Sequence, residues 1–465
     1  MAIISKSNMA IKGSVKLPNE HAPLPEGASL FADFSGSRFV MKLAAGQIKR
    51  SANLKDVLSF SRASEATRTG ITGLVEYLAA DEPAIDYHPI TGECLGLRAE
   101  SVANNRVAWS KDFTKPASWI SSGVTLTAND ALSPDGNMTA TKLIESGEVG
   151  TSRTLEAITT LDATINQPYT FSIWMKANTA SIAQLVAQGA ASPLQFVNFD
   201  LRNGKITRQS RRVLQATMQP FKNGWYRCSL TITPASAESP RFTISLVNSD
   251  SSADALPVYS PATPGSVWIW GAQPERRDGA SSYIPTAGAE GSRAADICTT
   301  PTTADFVVPT GGTVMMTCIH PRSLQSVSGA YNALACAVVL DNSVAGESLR
   351  LSYRNLNVNN GQAQWATADA AGVSQSLEIF SLSPVRGATQ SAIFSFDAPA
   401  LALKLFDGLS WYSRTVTSLP AALNRICVGR SYIGPENWFN GHIKQLTYWP
   451  QALSKEEMES AISYN

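Results

Sequence analysis

The sequence predicts an all-β chain: tandem antiparallel β-sandwiches, an extended N-terminal attachment segment and one short C-terminal helix. Three observations predict it: short runs alternating apolar and polar residues, Asn-Gly and Asp-Gly pairs between such runs, and only 16% charged residues beside 44% hydrophobic ones. Alternation with period two puts one side of a strand in a core. Asn-Gly and Asp-Gly supply the backbone angles of tight hairpins, and short, regularly spaced strands make sandwiches.

The elements follow in order. Residues 1–50 read as the attachment segment, broken by Pro18, Pro23 and Pro25 before a strand-like "SLFADFSG". Residues 51–105, with few strong periodicities, read as an extended connection packed on the first sandwich, which spans 106–300. There "YTFSIWMKA" sets Phe171, Ile173 and Met175 against Ser172, Trp174 and Lys176, while Asn203-Gly204 and Asn223-Gly224 mark hairpins, the second continuing through Tyr226, Cys228 and Leu230. In "VWIWGA", Val267 and Ile269 share one face and Trp268 and Trp270 the other. A second sandwich, 301–465, begins after a connector at Pro301 and holds "GGTVMMTCIH", "ALACAVVL", "SLRLSY", a hairpin at Asp407-Gly408 and "GHIKQLTYWP". Ser454 and Glu457 then form a helix capping box, with Met458 and Ile462 on one side of the helix.

Charge and cysteine content exclude several functions. Thirty-eight basic residues oppose thirty-seven acidic ones, so no long-range positive field gathers nucleic acid. The N-terminus lacks the order of a secretory signal, and no apolar run is long enough to span a membrane, so synthesis in a cytosol is expected. The six cysteines, at 94, 228, 298, 318, 336 and 427, include no C-x-x-C pair and read as reduced core residues.

Several phrases in one order carry a resemblance: "LSFSRASEATRTGITG", "AADEPAIDYHPITGECLGLRAESVANN", "SPDGNMTATKL", "YTFSIWMKA", "NGWYRCSLTI" and "VWIWGAQPERRDGASSYIPTAGAEGSRAAD". Together, over about residues 57–297, they resemble bacteriophage virion proteins, mostly tail-fibre or tail-associated, that carry a carbohydrate-binding-module-like jelly roll. "LKLFDGLSWYS" with "ICVGRSYIGPENWFNGHIKQLTYWPQALSKEEM" resembles laminin-G or concanavalin-A-like lectin domains. The resemblance implies a non-enzymatic tail fibre or similar appendage that adheres to host-surface glycan, assembled in the bacterial cytoplasm and located in the virion. It also implies a homotrimer docked to other virion proteins through its N-terminal segment, and makes "PERRDGASSYIPTAG" an arm wrapping the first sandwich. The alternative is a collar, capsid or baseplate decoration that touches no receptor; a polysaccharide-degrading enzyme is the third reading. The chain departs from the family at Gly96-Leu97-Arg98-Ala99-Glu100, where such proteins commonly read Gly-Leu-Leu-Ile-Glu, so Arg98 either disturbs the packing or faces a partner subunit.

Catalytic patterns are weak. No glutamate is followed two residues later by aspartate, the carboxylate pattern of jelly-roll glucanases, and Glu82 and Asp86 lie in a proline-containing stretch that reads as an exposed loop. "GECLG" mimics a nucleophile elbow at Cys94 near His88, but no helix follows, so a turn at Thr91-Gly92 and a buried or half-buried thiol are expected. The histidines at 21, 88, 320 and 442 do not have zinc-ligand spacing. No cofactor is expected; Asp407, Glu436 and Asn437 are oxygen donors of the kind calcium takes, at a spacing that decides nothing. The basic cluster "TRQSRRV", 207–213, reads as a charged strand edge.

Aromatic residues carry the binding expectation, because sugar rings stack on indole and hydrogen-bond to neighbouring polar groups. Trp438, expected to be exposed beside Asn437 in "GPENWFNG", is the leading candidate; Trp411 and Trp174 follow.

Overall fold

The computed structural model describes residues 24–463 apart from 44–45, 149, 162–163, 165–166, 190–193, 235, 237, 249–252, 302–306, 308–309, 320–333, 343–346, 356–361, 371–372, 380–387, 421–422 and 431–437. Two antiparallel β-sandwiches, two small two-stranded sheets and one α-helix, Lys455–Ser463, make up its regular structure together with short 3-10 turns.

In the first sandwich, one six-stranded sheet runs in the order Trp119–Ser122, Arg153–Ala157, Arg241–Leu246, Ile182–Gln188, Gln195–Asp200, Lys205–Gln209. The other runs Val124–Ala131, Ala140–Glu145, Ser266–Glu275, Tyr169–Ala177, Trp225–Ile232, Gln215–Pro220. Alternation decides which residues meet between them. Phe171, Ile173 and Met175 face Leu185, Val197 and Ile244 in a closed core, joined by Val267, Ile269, Cys228 and Leu230. Each such burial stabilises by about 1.5–3 kcal/mol. The Asn223-Gly224 turn has positive φ at both residues, 60° and 77°, as a tight hairpin requires. "TRQSRRV" overlaps the edge strand Lys205–Gln209 as expected.

The second sandwich corrects the expected domain boundaries. Its larger sheet contains Leu30–Asp33, Arg38–Lys42 and Ile48–Ser51, from the segment expected to be an attachment arm, beside Gly441–Trp449, Gly311–Ile319, Thr389–Asp397, Ala402–Phe406 and Trp411–Thr415. Leu30 pairs with Tyr448 and Asp33 with Gln445; Cys94–Ala99 pairs with the other half of the same long strand. The facing sheet includes Ser59–Ser61 and Ile297–Thr299 with Leu334–Asp341, Ser348–Asn355 and Arg425–Val428. Leu30, Phe34, Phe39, Met41, Leu58 and Leu97 are all in its core, so the described part of 1–50 is structural, not a free arm. The strand Leu30–Asp33 needs a neighbour to pair with, and it comes from the far end of the chain, where Leu30 meets Tyr448.

Residues 51–105 likewise serve both units. The Ala66–Thr69 and Val75–Leu78 hairpin covers the first sandwich, with Thr67 Oγ1 donating to the Tyr283 carbonyl at 2.7 Å, while the strands on either side of it join the second. The first sandwich is therefore an insertion. The chain enters it through Ala103–Asn105 and leaves through Gly291–Arg293, and these two segments pair antiparallel.

The capping box forms reciprocally: Ser454 N donates to Glu457 Oε2 at 2.6 Å and Glu457 N to Ser454 Oγ at 3.2 Å. Met458 is fully buried and Ile462 packs beside it, against Phe406 and Trp449. Cys228, Cys298, Cys318 and Cys427 are buried thiols outside any disulfide and Cys94 is half-buried; the side chain of Cys336 lies outside the described residues.

Candidate functional site

The outward face of the second sheet of the insert is unusual because three of its four central strands put large or charged residues there. Register places Gln219, Arg227, Trp174 and Trp270 side by side across four adjacent strands. The next row is Thr217, Ser229, Ser172 and Gln273. A bulge at Gly271 shifts the register, so Val267 and Ile269 and then Ala272 reach the core while Trp270 and Gln273 point outward. Gly271 has φ of +65°, and a Cβ there would lie 2.9 Å from Trp174 Cε3. Only glycine fits both demands.

The "PERRDGASSYIPTAG" segment folds back over this face as expected. Gln273 Nε2 donates to Ser281 Oγ at 2.9 Å, Gln273 Oε1 accepts from Ile284 N at 2.7 Å, and Glu275 accepts from Ser281 N at 2.9 Å. The arm lays Tyr283 against Trp174 and Trp270, with ring centroids 5.5 and 4.8 Å apart. The aromatic strand that opens the arm is thus capped by the arm itself.

Where the insert meets the second sandwich, a buried ion network crosses the boundary. Asp296 pairs with Arg62 at 3.3 Å and Arg293 at 2.5 Å; Arg98 reaches both Glu100 and Asp86 at 3.2 Å; His442 Nε2 lies 2.8 Å from Asp86. Arg98 is accordingly satisfied within its own chain, which resolves the departure at that position without a partner subunit. Burial alone raises the Glu100 carboxyl, but Arg98, Arg293 and Arg277 outweigh it and hold the group far below the usual carboxylate range. Burial likewise opposes ionisation of Asp86, yet His442, Arg98 and the Thr69 N–H hold it low.

Above this network lies a cleft of about 600 Å³, walled by the insert, the 66–78 hairpin and the start of the Gly441–Trp449 strand. Arg227 and Arg277 line it, with His88, His442, Gln219 and Trp174. Arg277 donates to Val102 O at 3.0 Å and Asn440 Oδ1 at 2.9 Å, and its Nε lies 4.0 Å from Glu275 Oε2. Arg227 is 8% exposed and lies over the Trp174 ring, 4.4 Å from its centroid. Its Nη2 donates to Ser172 Oγ at 3.1 Å and its Nε has no partner. Burial lowers its pKa to about 10, against the opposing pull of Glu275, so it stays charged at neutral pH.

The residues expected to bind sugar do not gather here. Trp438 is 9% exposed, against the expectation of an open loop: its Nε1 donates to Asp296 O at 3.2 Å and Arg430 stacks on its ring. Asn437 and Glu436 lie outside the described residues. Trp411 is half-buried, stacked on Phe406 and donating to Glu459 Oε1 at 2.7 Å, so it docks the helix. Trp174 alone reaches the cleft, as a wall beneath Arg227. Asp407 accepts from Leu409 N and Ser410 N, capping its own turn.

Asp86 corrects the reading of "DEPAID" as an exposed loop, being 3% exposed on the Ile85–Tyr87 strand, while Glu82 remains exposed. Cys94 begins a strand, and burial pushes its thiol pKa up. His88 Nδ1 accepts from Ile90 N and Thr91 N in the expected turn. Arg227, Arg277 and His442 were not legible as site residues, although "WYRCSLTI" does place Arg227 on the face opposite Cys228 and Leu230.

No protein-family profile matches the chain, and no curated protein sequence matches it. Among solved structures, it is similar to the CBM40 of Ruminococcus gnavus IT-sialidase bound to alpha2,3 sialyllactose, with 11% identity over 33% of this chain and 83% of that one and a TM-score of 0.26. It is also similar to mouse laminin alpha1 chain domains LG4-5, with 12% identity over 66% of this chain and 92% of that one and a TM-score of 0.22. Likeness at these scores is too loose to place a site.

Proposed function

We propose that this protein is a non-enzymatic adhesin that binds host-surface glycan in the cleft between its two sandwiches, as part of a bacteriophage tail fibre or similar appendage. The observation that carries the binding reading is the cleft: guanidinium donors beside apolar walls, enclosed by three separate parts of the chain. Such concave sites with a few convergent polar groups are where small ligands bind. The serial phrases over 57–297 support the virion setting. The non-enzymatic reading is supported by the state of the carboxylates. Glycoside hydrolysis needs a general acid of raised pKa opposite a second carboxylate. Asp86 and Glu100 are held ionised by cations, and Glu275, though raised by burial, is fully enclosed beneath Ser281.

A glycan array probed with the full chain, followed by a reducing-sugar assay on each saccharide bound, tests this. Retention without release of reducing ends is expected. Release would restore the polysaccharide-degrading reading. Light scattering should give the mass of three chains.

One observation favours the decoration reading: among the described residues no tryptophan is exposed. Binding of no saccharide, together with location in a collar, capsid or baseplate of the intact particle, would establish it.

A further inference from the structure

We infer that the cleft recognises an acidic sugar, whose carboxylate is taken by Arg227. This rests on the adhesin reading above and names its ligand class. Arg227 is more than nine-tenths buried, lines the cleft, and among the described residues has no carboxylate at ion-pair distance. A guanidinium carries five N–H donors, and here a single one is engaged, by the neutral Ser172 hydroxyl. Every other charge on this wall has a partner or a set of acceptors. Arg98 balances Asp86 and Glu100, Arg68 pairs with Glu76 at 2.9 Å, and Arg277 donates to Ser101, Val102 and Asn440.

A buried charge with no counter-ion in contact is costly, and an arriving anion lowers that cost. The planar fork of a guanidinium matches a carboxylate. Trp174 fixes the guanidinium from below through its ring face, and Ser172 fixes it from the side, so the group is held in place before the ligand arrives. Phe221, packed edge-on against Trp174 on the cleft wall, gives the sugar ring an apolar surface to rest on.

The test is calorimetric titration of the full chain with galacturonic acid and N-acetylneuraminic acid, with galactose and N-acetylgalactosamine as neutral counterparts, and with sodium sulfate. Acidic sugars are expected to bind more tightly than neutral ones, and Arg227→Met to weaken an acidic sugar by roughly 30-fold, the loss of charge-assisted hydrogen bonds. Gln219 is the exposed cross-strand partner of Arg227, so Gln219→Glu supplies a competing carboxylate at a position that leaves the fold intact, and should weaken the same sugar by about 10-fold. Arg211→Gln removes an exposed charge from the basic edge and should change nothing. Equal binding of acidic and neutral sugars, or acidic binding untouched by Gln219→Glu, overturns the inference and leaves the adhesin reading standing. Sulfate binding as tight as the acidic sugars overturns it too, in favour of a simple anion site. Binding of no saccharide at all removes both.

Discussion

At the scale of single residues, the chain's most unusual investment is in buried charge. Asp86, Glu100 and Asp296 sit among Arg62, Arg98, Arg293 and His442 at the junction, each carboxylate nearly inaccessible to water. A carboxylate whose folded pKa is depressed adds stability above its unfolded pKa, about 4, and that stability is lost as pH falls through the folded value. Asp86 and Glu100 are both depressed, so the melting temperature should fall steadily below about pH 5. Glu100→Gln should melt lower at pH 7 and show a flatter acid limb, read by circular dichroism across pH. An unchanged acid limb would mean Glu100 is not a source of the pH dependence. The network as a whole was not legible in advance, because its neighbouring pairs, such as Arg98–Glu100 and Arg293–Asp296, are joined across distant segments: Asp86 and His442 are separated by 356 residues. Arg98 alone was conspicuous, as a charge where an apolar residue is expected, and no sequence pattern says which acids receive it.

At the scale of elements, local chemistry was the most legible. Asn223-Gly224, Asp407-Gly408 and the Ser454–Glu457 box each carry their structure in a few adjacent residues, and each forms where expected. The alternation of "VWIWGA" also held, but the bulge beyond it did not show in the sequence: one glycine turns the strand so that an indole and a core alanine both find their sides. Gly271→Ala should cost about 2–4 kcal/mol, from a left-handed backbone and from overlap with Trp174. Urea unfolding measures it, and an unshifted midpoint would show that the bulge relaxes freely. Exposure was the least legible property. Trp438 sits in a Pro-, Gly- and Asn-rich stretch of the kind that lies on surfaces, yet it is buried because Asp296 arrives from elsewhere in the chain and Arg430, bridged to it from just upstream, stacks on its ring.

At the scale of the whole molecule, the boundaries read along the chain divide it too simply. Strands 30–51 carry their own alternation, but alternation does not name a partner sheet, and pairing with Gly441–Trp449 closes the longest loop in the fold. The consequence is mechanical coupling. Residues before and after the insert build one sandwich, and the ion network and the 66–78 hairpin tie the insert to it. Heating should therefore give a single calorimetric transition. Asp296→Ala leaves Arg62 without its counter-ion and Arg293 with Glu100 alone, which should cost about 3–5 kcal/mol and split the transition in two. Two transitions in the unaltered chain would show that the sandwiches are independent.

The insert also leaves and rejoins its host through two short strands lying side by side. A unit held by such neighbouring stalks behaves as a cassette: a different head with closely spaced ends can be spliced between the same stalks while the host keeps its own strand order. On the adhesin reading proposed above, exchange of whole heads would diversify recognition while the frame that carries them stays constant.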